Sequence, residues 1–215
     1  MTQAPKALLF DIMDTVVVDP FFDDDFGALF GLQREALYAK MTPDVWLAFE
    51  RGELSADAYY AQFFRDGSGV DGALLEDWMA TRYRWMPGME ALLSDLRDAG
   101  VPVYALSNYP VWWKMIERRL GLSAYLEWRF VSCMTGVRKP DPRSYLGPAE
   151  ALALAPASLW TTEKGTAPQR GTSACSPIAL RLRPHCELRC APVGSLSKPE
   201  EKAHGSQFLG VPLDD

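Results

Sequence analysis

Apolar and polar positions along the chain alternate between two kinds of segment. Residues 7–10 form an apolar run that stops at Asp11, the pattern of a strand buried on both faces with polar groups at its carboxyl end. Residues 29–83 carry apolar positions at helix-compatible spacing, broken near Thr42-Pro43, Arg51-Gly52 and Gly67-Ser68-Gly69. Met86-Pro87-Gly88 reads as a turn. Beyond it Met89, Leu92, Leu93 and Leu96 recur on one helical face, and Gly100 is placed to end that helix. Residues 101–106 predict a second buried strand ending at Ser107-Asn108, and residues 111–120 a helix closed by Gly121. Residues 130–133 predict a third strand, with Cys133 as a small buried hydrophobe inside it. Residues 142–154 read as helical, and residues 158–162 as the start of a fourth strand. Strands alternating with helices predict an α/β fold, a Rossmann-like doubly wound parallel sheet whose ligands bind at the carboxyl ends of its strands.

The pattern fails after Trp160. All aromatic residues but Phe208 lie before that point, whereas residues 161–215 hold both histidines and three of the four cysteines. That stretch is rich in Ser, Pro, Gly and Arg and has no amphipathic segment. A chain that buries little apolar surface cannot offset its conformational entropy, so a low-order tail is expected. The sheet is accordingly expected to lack its last strand, leaving an open edge. The expected organisation is an α/β core from residues 1–18 and 85–160, a helical cap from residues 19–84, and the tail.

Composition narrows the function classes. The 215 residues are 48% hydrophobic, 12% aromatic and 23% charged, with a net charge of -6. An acidic chain is a poor match to a phosphate backbone, which argues against nucleic acid as partner. No apolar run approaches the length of about 18 residues that a membrane-spanning helix needs. Cys175, His185, Cys186 and Cys190 match no familiar zinc spacing, and Arg181, Arg183 and Arg189 read as a solvated basic stretch.

Three strand ends carry polar groups that a doubly wound sheet would bring to one crevice: Asp11 with Asp14 and Thr15, Ser107 with Asn108, and the loop bearing Lys139. A carboxylate, a hydroxyl and an ammonium together suit a tetrahedral anion. The carboxylate attacks, the hydroxyl donates to a non-bridging oxygen, and the ammonium offsets negative charge. A carboxylate approaching a phosphate dianion meets repulsion, which a divalent cation would relieve.

The segments LLFDIMDTVV (8–17), YALSN (104–108) and GVRKPDP (136–142) resemble the motifs of the haloacid dehalogenase superfamily of aspartate-nucleophile hydrolases. The longer wording FDIMDTVVVDPFF and the stretch from SNYPVWW to RKPDP is similar to plant and algal plastid members described as flavin mononucleotide (FMN) hydrolases. The resemblance implies a phosphatase using Mg²⁺ and an aspartyl-phosphate intermediate, acting on a small phosphomonoester such as FMN. It implies Asp11 as nucleophile and, with the backbone carbonyl of Met13, as metal ligand. Thr15 would orient the loop, Ser107 would bind the phosphoryl group, Asn108 would support the second strand end and the substrate site, and Lys139 would neutralise Asp11 and phosphate. The aromatic residues Phe21, Phe22, Phe26, Tyr38, Trp46, Tyr59, Tyr60, Phe63 and Phe64 either stack on an isoalloxazine ring or fill the core of the cap. A plastid location is implied, although no transit segment precedes the first strand; a cytoplasmic location is the alternative.

Two departures bear on mechanism. The family's acid–base aspartate, two residues after the nucleophile, is replaced by Met13, which cannot shuttle a proton. Asp14, one residue further along, is a candidate substitute. The acidic pair expected after the fourth strand is Glu163-Lys164, so Glu163 alone is left as a weak second metal ligand. These departures keep two alternatives open: dehalogenase-like displacement at carbon, and an inactive relative that binds phosphate or flavin without turnover.

Overall fold

Four residues at the start of the chain, Ala7 to Phe10, are each buried, and around them the sheet is assembled. The computed structural model describes residues 6–162 and 183–184. Its strands are β1 (Ala7–Phe10), β2 (Val17–Val18), β3 (Arg84–Trp85), β4 (Val103–Ser107), β5 (Glu127–Val131), β6 (Leu159–Thr161) and β7 (Arg183–Pro184). Its α-helices are α1 (Arg34–Lys40), α2 (Pro43–Glu50), α3 (Ala56–Ala61), α4 (Gly72–Ala80), α5 (Met89–Asp98), α6 (Trp113–Leu120), α7 (Ser132–Thr135) and α8 (Arg143–Ala151).

The main sheet has the order β5-β4-β1-β6-β7, with the first four strands parallel. Leu9 lies opposite Tyr104 on one side and Thr161 on the other. The chain adds β4 and β5 on one side of β1, then returns through α8 to place β6 on the other side. Strand order therefore reverses between β1 and β6, which puts a crevice beyond the carboxyl end of β1, at Asp11.

Three sequence expectations are corrected. The third strand is β5, not residues 130–133. It is an edge strand in which Glu127 and Arg129 are exposed and only Phe130 and Val131 are buried, so a search for apolar runs finds only its inner end. Cys133 accordingly lies half-buried on α7, where burial pushes its thiol up to about 11. The edge of β6 is not left open: β7 pairs antiparallel with it, Trp160 opposite Pro184 and Thr161 opposite Arg183. The expectation of low order for the rest of the tail, and the rejected zinc grouping, concern residues outside those described.

Between β2 and β3 runs a mainly helical segment, with one antiparallel bridge between Met41 and Phe64. The two strands pair antiparallel, Val17 with Trp85 and Val18 with Arg84, and so bring the exit and return of this segment together. Ser55 and Asp71 cap α3 and α4 by accepting from the backbone N–H groups of Ala58 and Leu74. Phe21, Phe26, Trp46, Tyr59, Tyr60 and Phe63 all point into a buried aromatic cluster. Phe49 stacks on Tyr59 with ring centroids 4.4 Å apart, and Phe21 on Trp46 at 4.7 Å. The core-filling alternative thus holds for these six residues. Stacking on a ligand ring would require surface that they do not expose.

The cluster crosses into the α/β core. Trp112, just before α6, is surrounded by Phe21, Trp46, Phe49, Tyr59 and Tyr60, and its indole N–H donates to the Tyr60 hydroxyl at 2.8 Å. Tyr109 and Tyr83 share a buried hydroxyl–hydroxyl bond of 2.8 Å. Gly52, after α2, has φ +73, and a Cβ there would lie 2.4 Å from the Cys133 carbonyl oxygen. Gly52→Ala is expected to cost about 3 kcal/mol, combining left-handed strain with a backbone clash. Gly31→Ala is the control: its φ is +65 but nothing lies within 4 Å of the added carbon, so only about 1 kcal/mol is expected. Urea unfolding of both variants checks the difference.

Candidate active site

Four backbone segments converge at the crevice. Asp11 follows β1, Ser107 ends β4, Thr162 follows β6, and Lys139 sits in the loop between α7 and α8. The Asp11 side chain is buried, and its Oδ1 accepts from the Ile12 N–H at 2.9 Å. Lys139 Nζ lies 2.9 Å from the same oxygen. No hydrogen bond among the described residues falls on Oδ2. The Lys139 ammonium also donates to the Leu106 carbonyl at 3.1 Å. A charge-assisted bond of this length between partly buried groups fixes both side chains without an intervening water.

Ser107 is 2% exposed, and its hydroxyl has no hydrogen-bond partner among the described residues. A buried hydroxyl left unpaired costs about 1–3 kcal/mol, so a ligand oxygen reaching it would gain that amount back. Asn108 is turned toward the Lys139 backbone. Its amide donates to the Lys139 carbonyl at 2.9 Å, and its carbonyl accepts from the Lys139 N–H at 2.7 Å. Both ends of the amide are thus engaged in holding the peptide of Lys139.

The loop after Asp11 is tight. The Ile12 carbonyl accepts from the N–H groups of Thr15, Val16 and Val17 at 3.3, 2.8 and 2.9 Å. Thr15 is buried within it, consistent with a role in loop shape. Met13 is buried in the apolar core. Asp14 adopts φ +55, a left-handed conformation that Asp tolerates, and its Oδ1 accepts from the Asp19 N–H at 3.0 Å. That bond closes the loop around Asp14 itself and gives its carboxylate a structural partner.

Thr162 is a site residue that sequence reasoning missed. Its hydroxyl accepts the Asp11 N–H at 2.9 Å, while its own N–H donates to the Leu9 carbonyl at 3.0 Å. It thus ties the end of β6 to the candidate nucleophile. The only signal was its position at the end of the fourth strand.

For a hard divalent cation the described donor set is the Asp11 carboxylate and the Met13 carbonyl, on which no described backbone hydrogen bond ends. Glu163 lies outside the described residues, and among the described residues no group of three His, Cys, Asp or Glu side chains is placed to hold a metal. Mg²⁺ is commonly held by one or two carboxylates with the balance from water and substrate oxygens, so these oxygen donors fit it. No helix among the described residues is long and apolar enough to cross a membrane.

A family model described as haloacid dehalogenase-like hydrolase matches residues 5–159. Among curated proteins, the chain is 42% identical over 149 residues to "Flavin mononucleotide hydrolase 1, chloroplatic" of Arabidopsis thaliana, a match covering 69% of this chain and 60% of that protein. The fold is similar to a Bacteroides thetaiotaomicron family enzyme solved with magnesium and inorganic phosphate. That likeness has TM-score 0.59, 18% identity, and covers 74% of this chain and 84% of the other. It is also similar to L-2-haloacid dehalogenase of Xanthobacter autotrophicus, with TM-score 0.51, 20% identity, and coverage of 73% and 69%. With its sheet order, its strand-end aspartate and a family match over most of its length, the chain belongs to the haloacid dehalogenase-like hydrolases.

Proposed function

We propose that the chain is a Mg²⁺-dependent phosphatase acting on a phosphomonoester such as FMN, through an aspartyl-phosphate on Asp11. The observation that carries this reading is the Asp11–Lys139 pair at 2.9 Å together with a buried Ser107 hydroxyl that has no partner among the described residues. An Asp11 oxygen attacks phosphorus, the ester oxygen leaves, and water later attacks the acyl phosphate to regenerate the carboxylate. Lys139 offsets the negative charge gathered as the two anions approach, and Ser107 donates to a phosphoryl oxygen. Asp11 and the Met13 carbonyl, with Glu163, would hold the Mg²⁺, which supplies charge neutralisation of the phosphate when bound. The substrate proposal follows from the FMN hydrolase relative, which is chloroplastic; a plastid setting is proposed with it. In this reading residues 1–18 and 85–160 are the catalytic core and residues 19–84 the cap.

Met13 leaves the departing alkoxide without a nearby acid, and Asp14 is engaged with Asp19. A positioned acid is worth about 10²–10⁴ in rate. Turnover is therefore expected to depend steeply on the leaving group. p-Nitrophenyl phosphate, whose phenolate needs no proton, should have a kcat at least about tenfold above that for a simple alkyl phosphate. Equal rates would show that another group donates the proton. Met13 also favours the second reading, displacement at carbon, because a halide leaves without protonation.

The direct test is phosphate release from FMN by this chain with Mg²⁺ and with EDTA. The phosphatase reading expects release with Mg²⁺ and background with EDTA. Chloride release from a 2-haloacid without added metal, and no phosphate release, would establish the alternative. Binding of inorganic phosphate with no turnover of either substrate would identify an inactive relative.

A further inference from the structure

Glu50 is the last residue of α2, where an acidic side chain is poorly placed. The carbonyl end of a helix carries partial negative charge, and this carboxylate is in addition 6% exposed. Burial pushes its pKa up, and the Arg138 guanidinium and a Trp46 hydrogen bond pull the other way. A group carrying such costs needs a compensating role. Its Oε2 accepts from Arg138 Nε at 2.9 Å, in an ion pair whose arginine is only about a quarter exposed. The Glu50 carbonyl accepts from the Ser132 hydroxyl at 2.5 Å, and Ser132 in turn accepts the Tyr109 N–H at 3.0 Å.

Arg138 is the residue before Lys139. The Lys139 peptide is clamped on its other side by both ends of the Asn108 amide. The loop carrying the lysine is thus held from two directions: by β4 through Asn108, and by the helical segment through Glu50. We infer that Glu50 is a positioning residue, which aims the Lys139 ammonium at Asp11 by anchoring Arg138 from across the helical segment. This rests on the phosphatase reading above, because it is the Lys139 charge in that reaction that Glu50 would place. The described contacts of Glu50 are with Arg138, Ser132 and Trp46, and none is with Asp11 or Ser107. Its effect belongs on the chemical step, since a misplaced ammonium fails where charge develops between nucleophile and phosphate.

The test is steady-state hydrolysis of p-nitrophenyl phosphate with Mg²⁺ by the native chain, Glu50→Gln, Arg138→Gln and the double variant, each checked for a native circular dichroism spectrum. Inorganic phosphate binding is followed by calorimetry. In Glu50→Gln, kcat is expected to fall about tenfold with KM changed less than about twofold, the signature of an interaction that counts in the transition state. The double variant should be no worse than the poorer single variant, because both remove one anchor. Glu50→Asp should recover part of the loss. A folded Glu50→Gln with native kcat, or losses that simply multiply in the double variant, would overturn the inference while leaving the phosphatase reading intact. If Glu50→Gln does not fold, Arg138→Lys decides: it keeps the charge but loses the fork, and native kcat there overturns the anchor. A native chain that does not hydrolyse the ester, whether or not it binds phosphate, would overturn the phosphatase reading itself, and the inference with it.

Discussion

Asp11→Asn is expected to lower phosphate release from FMN by about 10³-fold or more, to the level of background. The substitution keeps the shape of the side chain and an oxygen able to accept from Ile12 N–H, so the loop should persist. What is lost is the anionic oxygen that attacks phosphorus. An amide oxygen is far weaker as a nucleophile and would leave an unstable adduct. The same change removes one negative charge beside an incoming phosphate and frees the Lys139 ammonium that now pairs with Asp11 at 2.9 Å. Inorganic phosphate should therefore bind the variant at least as tightly as it binds the native chain, measured by calorimetry. Abolished turnover with retained binding would separate chemistry from site collapse. Substantial residual turnover would remove Asp11 from the nucleophilic role and direct attention to a water activated elsewhere in the crevice.

The second large effect concerns stability. Trp112→Ala is expected to cost about 3–5 kcal/mol, the range for removing a large aromatic side chain from a packed core. Trp112 is almost wholly buried and meets rings from α2, α3 and the turn at Pro20–Phe22, so the cavity would open where the helical segment and the α/β core share one interior. The indole N–H bond to Tyr60 goes as well. Tyr60 would remain neutral: burial, and after it the bond to Glu76, push its hydroxyl well above the ordinary tyrosine range. Against the 5–15 kcal/mol typical of a folded domain, that loss is large. Calorimetry should show a single transition at a lower Tm. Two separated transitions would instead mean that the helical segment and the core unfold independently, which the shared aromatic cluster argues against. Trp112→Phe should cost markedly less, because most of the volume remains.

These two residues illustrate how differently the chain announces its parts. Asp11 was legible from residues 7–11 alone, since an apolar run ending in a carboxylate is the local signature of a buried parallel strand meeting solvent. Ser107 was legible for the same reason, at the end of a buried apolar run, whereas Lys139 was read as a third strand end and lies instead in the loop after α7. Trp112 was not singled out. Nothing in its neighbourhood shows that a residue just after β4 would be enclosed by rings from 46, 49, 59 and 60. The aromatic residues of the helical segment read equally well as a ligand-stacking face or as core filling, and only packing decided between them. β5 was misplaced because an edge strand needs to bury just one end, which leaves Glu127 and Arg129 looking like loop. Thr162 was passed over because a hydroxyl at the end of a strand has many possible partners.

What the sequence determined by itself was the alternation of strands and helices in the core, the Asp11 and Ser107 side chains at two strand ends, and the loss of an acid at Met13. Those features depend on neighbours within a few residues: apolar period, glycine and proline punctuation, and the chemical type of the residue that ends each run. The tertiary structure alone decided the pairs that join distant segments. The Asp11–Lys139 contact, the Asn108 clamp on the Lys139 peptide, the Thr162 bond to the Asp11 amide, and the Glu50–Arg138 ion pair connect residues 31 to 151 positions apart. No local pattern encodes such distances. They follow from the reversal of strand order at β1 and from an aromatic interior that seats the helical segment on the α7 loop.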